Sequence, residues 1–134
     1  MRLAWDEFDA RVRNSALLRD RLLAGVPERI PDVTITGPAD SSLRLANNFS
    51  CCIAGVQGET VLLALDLDGF AASSGSACTT GSLEPSHVLM AMGIDEDLAR
   101  ASLRLTVGHQ NTDDEISSLI ERLEAIVARL RALG

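Results

Sequence analysis

The sequence contains no lysine: all 12 of its basic residues are arginine, against 19 aspartate and glutamate residues. The resulting net charge of −7 disfavours nucleic-acid binding, because a polyanion requires a concentrated positive surface. Lysine is also the side chain that forms Schiff bases with carbonyl compounds. The chain therefore cannot supply a lysine for that chemistry.

Aromatic residues and long apolar runs are scarce as well. Only 3% of the residues are aromatic, so the 46% hydrophobic content predicts an aliphatic core. No apolar run approaches the roughly 20 residues of a membrane span. The first residues show no apolar block followed by a small-residue cleavage site, which a secretory signal would have. At 134 residues, we expect one cytoplasmic domain.

Cysteine is sparse, with three residues at Cys51, Cys52 and Cys78. Adjacent residues have Cα atoms about 3.8 Å apart, below the usual disulfide minimum of about 4.4 Å. We therefore expect reduced thiols. Two adjacent thiolates rarely reach one tetrahedral zinc, and no Cys-x-x-Cys spacing exists, so no metal site is predicted.

Apolar spacing predicts long helices near both ends of the sequence. Residues 3–24 have apolar side chains at intervals of three and four, and Gly25 and Pro27 are expected to end this helix. Near the other end, residues 112–115 read Thr-Asp-Asp-Glu, the pattern of a capping box. One apolar stripe follows it: Ile116, Leu119, Ile120, Leu123, Val127 and Leu130.

Short alternating segments predict strands at 33–36, 48–53 and 102–107, with a brief strand at 70–72. Shorter helices are expected over 59–66 and 85–92. The pattern predicts an α+β fold, with a small, mostly antiparallel sheet covered by helices on one face. The other face would meet water or another domain, and its expected residues are Asn48, Ser50, Arg104 and Thr106.

The segment 73–82 consists of ten small residues, one of which is Cys78. Nothing in it is large enough to anchor it in a core, so we expect an exposed, mobile loop. Small neighbours would let a bulky partner approach the sulfur. The alternative is a flexible linker that happens to contain a cysteine.

Residues 73–89, SSGSACTTGSLEPSHVL, are similar to the active-site loop of cysteine desulfurases of the longer-loop class. The segments 55–59 and 102–108 resemble flanking patterns of that family, in the same order. Residues 112–116 resemble the start of its last helix. The resemblance extends from about residue 15 to 133 and is to the family's C-terminal small domain.

The resemblance implies a function for two residues. Cysteine desulfurases use pyridoxal phosphate to move sulfur from L-cysteine to a loop cysteine, which leaves L-alanine and an enzyme persulfide. Cys78 matches that nucleophile, and Arg104 matches the position that grips the substrate carboxylate. Without the resemblance, Arg104 would read as a solvated strand arginine. The matching loop residues are Ser73, Ser74, Gly75, Ser76, Ala77, Thr79, Thr80 and Gly81.

The family's cofactor-binding large domain has no counterpart in this sequence. By resemblance, that domain binds pyridoxal phosphate, and no cofactor is expected to bind this chain alone. The expected partners are this large domain or subunit, L-cysteine, and an iron–sulfur scaffold or other sulfur acceptor. The complete enzyme is expected to be a homodimer. A stand-alone persulfide carrier and an inert association module remain as alternatives, and His87 and His109 are assigned no role.

Overall fold

A computed structural model describes residues 6–74 and 84–134 of the chain. Within these ranges lie five α-helices, three strands and a short 3₁₀ turn at Ser41–Leu43. In chain order the elements are α1 (Phe8–Arg29), β1 (Val33–Ile35), β2 (Asn48–Ile53), α2 (Gly58–Leu67), α3 (His87–Ala91), α4 (Glu96–Arg100), β3 (Ser102–Thr106) and α5 (Asp113–Leu133).

The three strands form one antiparallel sheet in the order β1-β2-β3. Its register places Cys51 of β2 between Ile35 of β1 and Leu103 of β3. These side chains therefore share one face, because directly opposed residues of antiparallel strands point the same way. The α+β class, the antiparallel sheet and the long helices at both ends are confirmed.

The main core lies on this face, against α1, α2 and α5. It is almost wholly aliphatic, as the scarcity of aromatic residues predicted, and Phe49 is its aromatic member among the fully buried side chains. Every residue of the predicted stripe on α5 is buried except Leu130, which is half-buried. The aliphatic stripe of the helix and the alternating strand residues thus cover the same surface.

The opposite face is divided in two. At one end, Cys52 packs with Leu89 and Ala99 in a small second cluster beneath α3 and α4. Ser102, paired with Cys52 across β2 and β3, is also buried. At the other end the face is polar, and Asn48 there pairs with Thr106. The prediction of a polar second face thus holds for this end of the sheet.

The first helix continues past Gly25 and Pro27 to Arg29, so the expected end at these residues was wrong. A Cβ atom on Gly25 would lie 2.8 Å from Ile120 Cδ1, which shows how closely α1 approaches α5. Val26 is fully buried, and its burial offsets the backbone hydrogen bond that Pro27 cannot donate. Gly25 therefore serves helix packing rather than helix termination.

Other boundaries also differ from expectation. Residues 70–72 form no strand; Ser73 alone makes a bridge to β3. The helix expected over 85–92 is the shorter His87–Ala91. Phe8 and Val12, on the expected apolar side of α1, are exposed. Local spacing therefore indicated the elements better than their limits.

The last helix is fixed at both ends. At its start, the Glu115 backbone donates to Thr112 Oγ1 and the Thr112 backbone donates to Glu115 Oε2 at 2.9 Å, which confirms the capping box. The backbone bond from Thr112 is the main cause that lowers the pKa of the Glu115 carboxyl. Near its end, Arg131 donates to the carbonyls of Ala54 and Pro31, which ties α5 to both ends of the β1–β2 region. No helix within the described ranges is long and apolar enough to cross a membrane.

Candidate functional site

Four polar residues form a row across the polar end of the sheet. Thr36, just after β1, donates its backbone N–H to the Ser50 carbonyl of β2 at 3.0 Å. Ser50 pairs with Arg104 of β3, and Arg104 pairs with Ser73 in the isolated bridge. Opposed residues point to one face, so the side chains of Thr36, Ser50, Arg104 and Ser73 lie side by side.

Three hydrogen bonds join Ser73 to Arg104. The Ser73 N–H donates to the Arg104 carbonyl at 3.1 Å, and the Arg104 N–H donates to the Ser73 carbonyl at 2.7 Å. The Arg104 side chain adds a bond from Nε to Ser73 Oγ at 3.1 Å. The structure therefore brings together two of the predicted site residues, the strand arginine and the first residue of the small-residue segment.

Arg104 is half-buried. Its Nε atom donates a hydrogen bond to Ser73 Oγ. The described residues provide no ion-pair partner for the guanidinium. The two Nη atoms form a planar fork that matches a carboxylate in geometry and charge. This edge can hold a small carboxylic acid through two parallel hydrogen bonds.

The remaining predicted loop residues lie mostly outside the described part of the chain. Cys78 falls there, with Gly75, Ser76, Ala77, Thr79, Thr80 and Gly81, so their assignment stays a prediction. Ser73 and Ser74 are half-buried at one end of the segment. At the other end, Ser86 is buried just before α3, and His87, the first residue of α3, is exposed. His109, which follows β3, is also exposed.

Cys51 and Cys52 are free thiols, and both are fully buried. Burial raises the pKa of Cys51 far above the ordinary thiol range. Burial also raises the pKa of Cys52, to about 11, with a further contribution from the negative charge of Asp95. Because the thiolate is the nucleophile, neither side chain is prepared for sulfur chemistry. Among the described residues, no three potential ligand side chains cluster around a metal position.

Glycines in the motif at 55–59 support the site indirectly. A Cβ atom on Gly58 would lie 2.7 Å from the Ser102 carbonyl oxygen and 2.9 Å from that of Arg100. Only glycine lets the start of α2 approach the chain this closely where β3 begins. Gly55 has φ of +79°, a left-handed conformation that favours glycine, and it lies under the Arg131 side chain. This motif therefore fixes the position of the strand that carries Arg104.

Sequence reasoning placed Thr36 in the first strand but did not include it among the residues of the polar face. Its side chain is buried, and its hydroxyl donates to Ser50 Oγ at 2.7 Å. The alternation Val33-Thr34-Ile35-Thr36 places both threonines on the side opposite the core. Thr36 belonged to the predicted strand, and applying the same alternation to the sheet faces would have placed it on the polar face.

A cavity of about 670 Å³ lies away from this row, between the start of α2, α4 and the end of α5. Its lining is partly apolar, with Val56, Leu98 and Leu130, and partly acidic, with Asp95 and Asp97. Two carboxylates make it unfavourable for a phosphate group. Arg104 is not among the residues that line this cavity.

The sequence pattern of the class-V aminotransferase family matches residues 6–119, and the chain belongs to this family. Within that family, the similarity is to cysteine desulfurases. The chain is 41% identical over 132 residues to a cysteine desulfurase IscS of Clostridium botulinum, covering 98% of this chain and 33% of the relative. It is 46% identical over 126 residues to an IscS-like cysteine desulfurase of Mycobacterium tuberculosis, covering 94% and 31%.

A solved structure shares the fold. The NifS-like protein of Rickettsia africae superposes with a TM-score of 0.75 at 28% identity, over 92% of this chain and 31% of that one. The resemblance inferred from the loop and its flanks is thus confirmed. This chain spans about one third of the length of the curated relatives it matches.

Proposed function

We propose that this chain is the C-terminal part of a cysteine desulfurase and supplies its sulfur-accepting thiol, Cys78, together with its carboxylate-binding residue, Arg104. The observation that supports this most is the bridge between Ser73 and Arg104. It attaches the start of the segment that carries Cys78 directly beside the guanidinium of Arg104, for which the described residues provide no ion-pair partner.

Chain length keeps the two proposed residues close. Cys78 follows Ser73 by five residues. Covalent geometry limits the distance between their Cα atoms to about 18 Å, even for an extended chain. The side chains between them are small, so a substrate held at Arg104 is within the possible range of the Cys78 sulfur.

The overall reaction proposed for the complete enzyme balances without an added oxidant or reductant. L-cysteine and the Cys78 thiol give L-alanine and the Cys78 persulfide. The carbon–sulfur bond of the substrate breaks, a sulfur–sulfur bond forms at Cys78, and the carbon gains a proton. The proposed part of Arg104 is to hold the substrate carboxylate in one orientation, which places the substrate sulfur relative to the incoming thiol.

Pyridoxal phosphate would belong to the rest of that enzyme. The residues of this chain do not fit it: there is no lysine to bind its aldehyde, and the described cavity presents Asp95 and Asp97 where a phosphate would need donors. When held by the large domain, the cofactor would supply the electron sink for carbon–sulfur cleavage.

The proposed partners follow from this division of the site. The chain would pack against a cofactor-binding domain or subunit, act on L-cysteine, and pass sulfur to an iron–sulfur scaffold or another acceptor protein. We propose a homodimer for the complete enzyme and the cytoplasm as its location. The net negative charge of −7 disfavours nucleic acid as a partner and is compatible with protein and amino-acid partners.

Mixing the chain with the cofactor-binding part of its enzyme tests the proposal. We expect sulfide release from L-cysteine in the presence of a reductant, because the thiol and the cofactor are then in one site. Cys78→Ala should abolish release, since no acceptor for the substrate sulfur remains. The measurement is sulfide formed per chain, with alanine quantified in parallel.

Cys52→Ala is the matched control, because it removes a buried thiol that the proposal does not use; release should persist. If Cys78→Ala released sulfide as fast as the unchanged chain, the proposal would be wrong. If the mixture released none, yet Cys78 gained one sulfur by intact mass from a separate persulfide donor, the carrier alternative would replace it.

A further inference from the structure

We propose that Ser73 is a positioning residue for Arg104, and that its hydroxyl determines which edge of the guanidinium faces the substrate. This inference rests on the proposed function, since it assigns a purpose to the Arg104 edge. The hydrogen bond between Arg104 Nε and Ser73 Oγ is observed in the structure. It joins the beginning of the Cys78 segment to the carboxylate-binding side chain.

The bond to Ser73 uses one specific nitrogen. Nε of Arg104 donates to Ser73 Oγ at 3.1 Å, so the edge that contains Nε is occupied. A guanidinium is planar, and fixing one edge also fixes the direction of the other nitrogens. The substrate carboxylate is then left with the Nη1–Nη2 edge, where both of its oxygens can be held.

Ser73 can hold this position because its own backbone is fixed. The two backbone hydrogen bonds with Arg104, at 3.1 and 2.7 Å, set the location of its Cα atom relative to β3. Rotation about the Cα–Cβ bond then leaves Oγ three staggered positions, and in the observed one it accepts the hydrogen bond from Arg104 Nε at 3.1 Å. A side chain on an unpaired loop residue would not restrain Arg104 in the same way.

The Ser50 hydroxyl, which also lies beside Arg104, does not position the guanidinium. Ser50 pairs with Arg104 across β2 and β3, but its Oγ accepts a hydrogen bond from Thr36 Oγ1 at 2.7 Å. Within the described residues, Ser73 gives the side-chain acceptor of Arg104 Nε. Two serines thus flank one arginine in the same row, and within the described residues Ser73 is the one whose hydroxyl accepts a hydrogen bond from its side chain.

The positioning is tested in the chain itself by NMR of the arginine Nε–H groups. We expect the Arg104 Nε–H to exchange slowly with solvent, and Ser73→Ala to speed this exchange about five- to tenfold, which corresponds to loss of one hydrogen bond. Ser73→Thr, which keeps the hydroxyl, should restore the slow exchange. Arg104→Lys assigns the resonance by removing it.

Ser50→Ala is the matched control, because it removes a hydroxyl from the same row without touching Nε; exchange at Arg104 should stay slow. Unchanged Arg104 exchange in Ser73→Ala would overturn the proposal. Equal acceleration by Ser50→Ala would also overturn it, since a general loosening of the sheet would then explain the effect.

The functional consequence is read in the chain assembled with its cofactor-binding part. Ser73→Ala should raise KM for L-cysteine about tenfold while kcat changes less, and Ser73→Thr should recover KM. A fall in kcat with KM unchanged would contradict the assigned purpose. Failure of the unchanged chain to release sulfide would refute the proposed function alone, because the exchange measurement requires no sulfur transfer.

Discussion

Cys51 and Cys52 are neighbours in sequence but point to opposite faces of β2, and each lies in a different apolar cluster. Cys51 belongs to the main core, and Cys52 to the small cluster under α3 and α4. Burial raises the pKa of both thiols, which keeps them protonated near neutral pH. Both thiols are therefore better suited to packing than to nucleophilic chemistry.

Thiol alkylation at pH 8 should distinguish the three cysteines. We expect iodoacetamide to modify the folded chain at Cys78 alone, because Cys51 and Cys52 have no exposed surface. Unfolding in urea should expose all three thiols. Intact mass and peptide mapping measure the sites, and Cys78→Ala should leave the folded chain unmodified. Rapid labelling of Cys52 in the folded chain would contradict this.

The same burial predicts a direction for stability at high pH. The folded-state pKa of Cys52, about 11, lies above the roughly 8.5 of an unfolded cysteine. The stability linked to this shift is complete below the unfolded pKa and is lost as pH rises toward 11. Labelling of the buried thiols should therefore begin only as the chain opens in that alkaline range.

The residue scale also shows what a sequence can and cannot reveal about the site. Arg104 was identified through resemblance, and strand alternation correctly placed it on the polar side. Its contact with Ser73 was not predictable, because 31 positions separate the two residues and no pattern connects them. Cys78 remains a prediction from the loop motif.

At the scale of elements, the start of α2 is packed against the backbone where β3 begins. Gly58 has no room for a side chain, since carbonyl oxygens of Ser102 and Arg100 lie within 3 Å of an added Cβ atom. Backbone atoms cannot rotate away as a flexible side chain can. The contact therefore constrains α2 and β3 together.

Gly58→Ala should destabilise the chain by about 2 kcal/mol, because the added methyl group forces α2 away from β3. The free energy of unfolding in urea measures this. Gly108→Ala is the matched control: an added Cβ there meets Asn111 Oδ1 at 3.7 Å, an ordinary contact, so its effect should stay within about 0.5 kcal/mol. Equal stability of the two variants would show that α2 can shift without cost.

Elements with strong local signals were predictable, and those determined by packing were not. The capping box and stripe of α5 and the alternation of β2 gave their type and approximate limits. The first helix was predicted to end at Gly25 and Pro27, because these residues disfavour helices locally. Its continuation depends on Val26 fitting into the core and on Ile120 approaching Gly25, and both contacts involve distant parts of the sequence.

For the whole molecule, the main observation is that the chain matches about one third of each curated relative and contains no lysine. A site divided between this chain and the rest of an enzyme explains both facts under the proposed function. The guanidinium and the thiol would come from this part, and the cofactor from the other.

Pyridoxal phosphate should therefore not be retained by the chain alone. After incubation and gel filtration, we expect no cofactor absorption to elute with the protein, because no lysine is available and the described cavity is acidic. The mixture with the cofactor-binding part, passed through the same column, is the positive control. Stoichiometric elution with the isolated chain would contradict the division of the site.

The pairing of β2 with β3 has a consequence beyond stability. Side chains alternate along a strand, so a slip of one residue would turn Arg104 toward the aliphatic interior and expose Leu103 and Leu105 to solvent. An unpaired charge among hydrocarbon side chains is strongly unfavourable. The interactions that favour this strand alignment during folding therefore also favour the outward direction of the guanidinium. A misaligned chain would lose both its packed core and the group proposed to bind the substrate carboxylate.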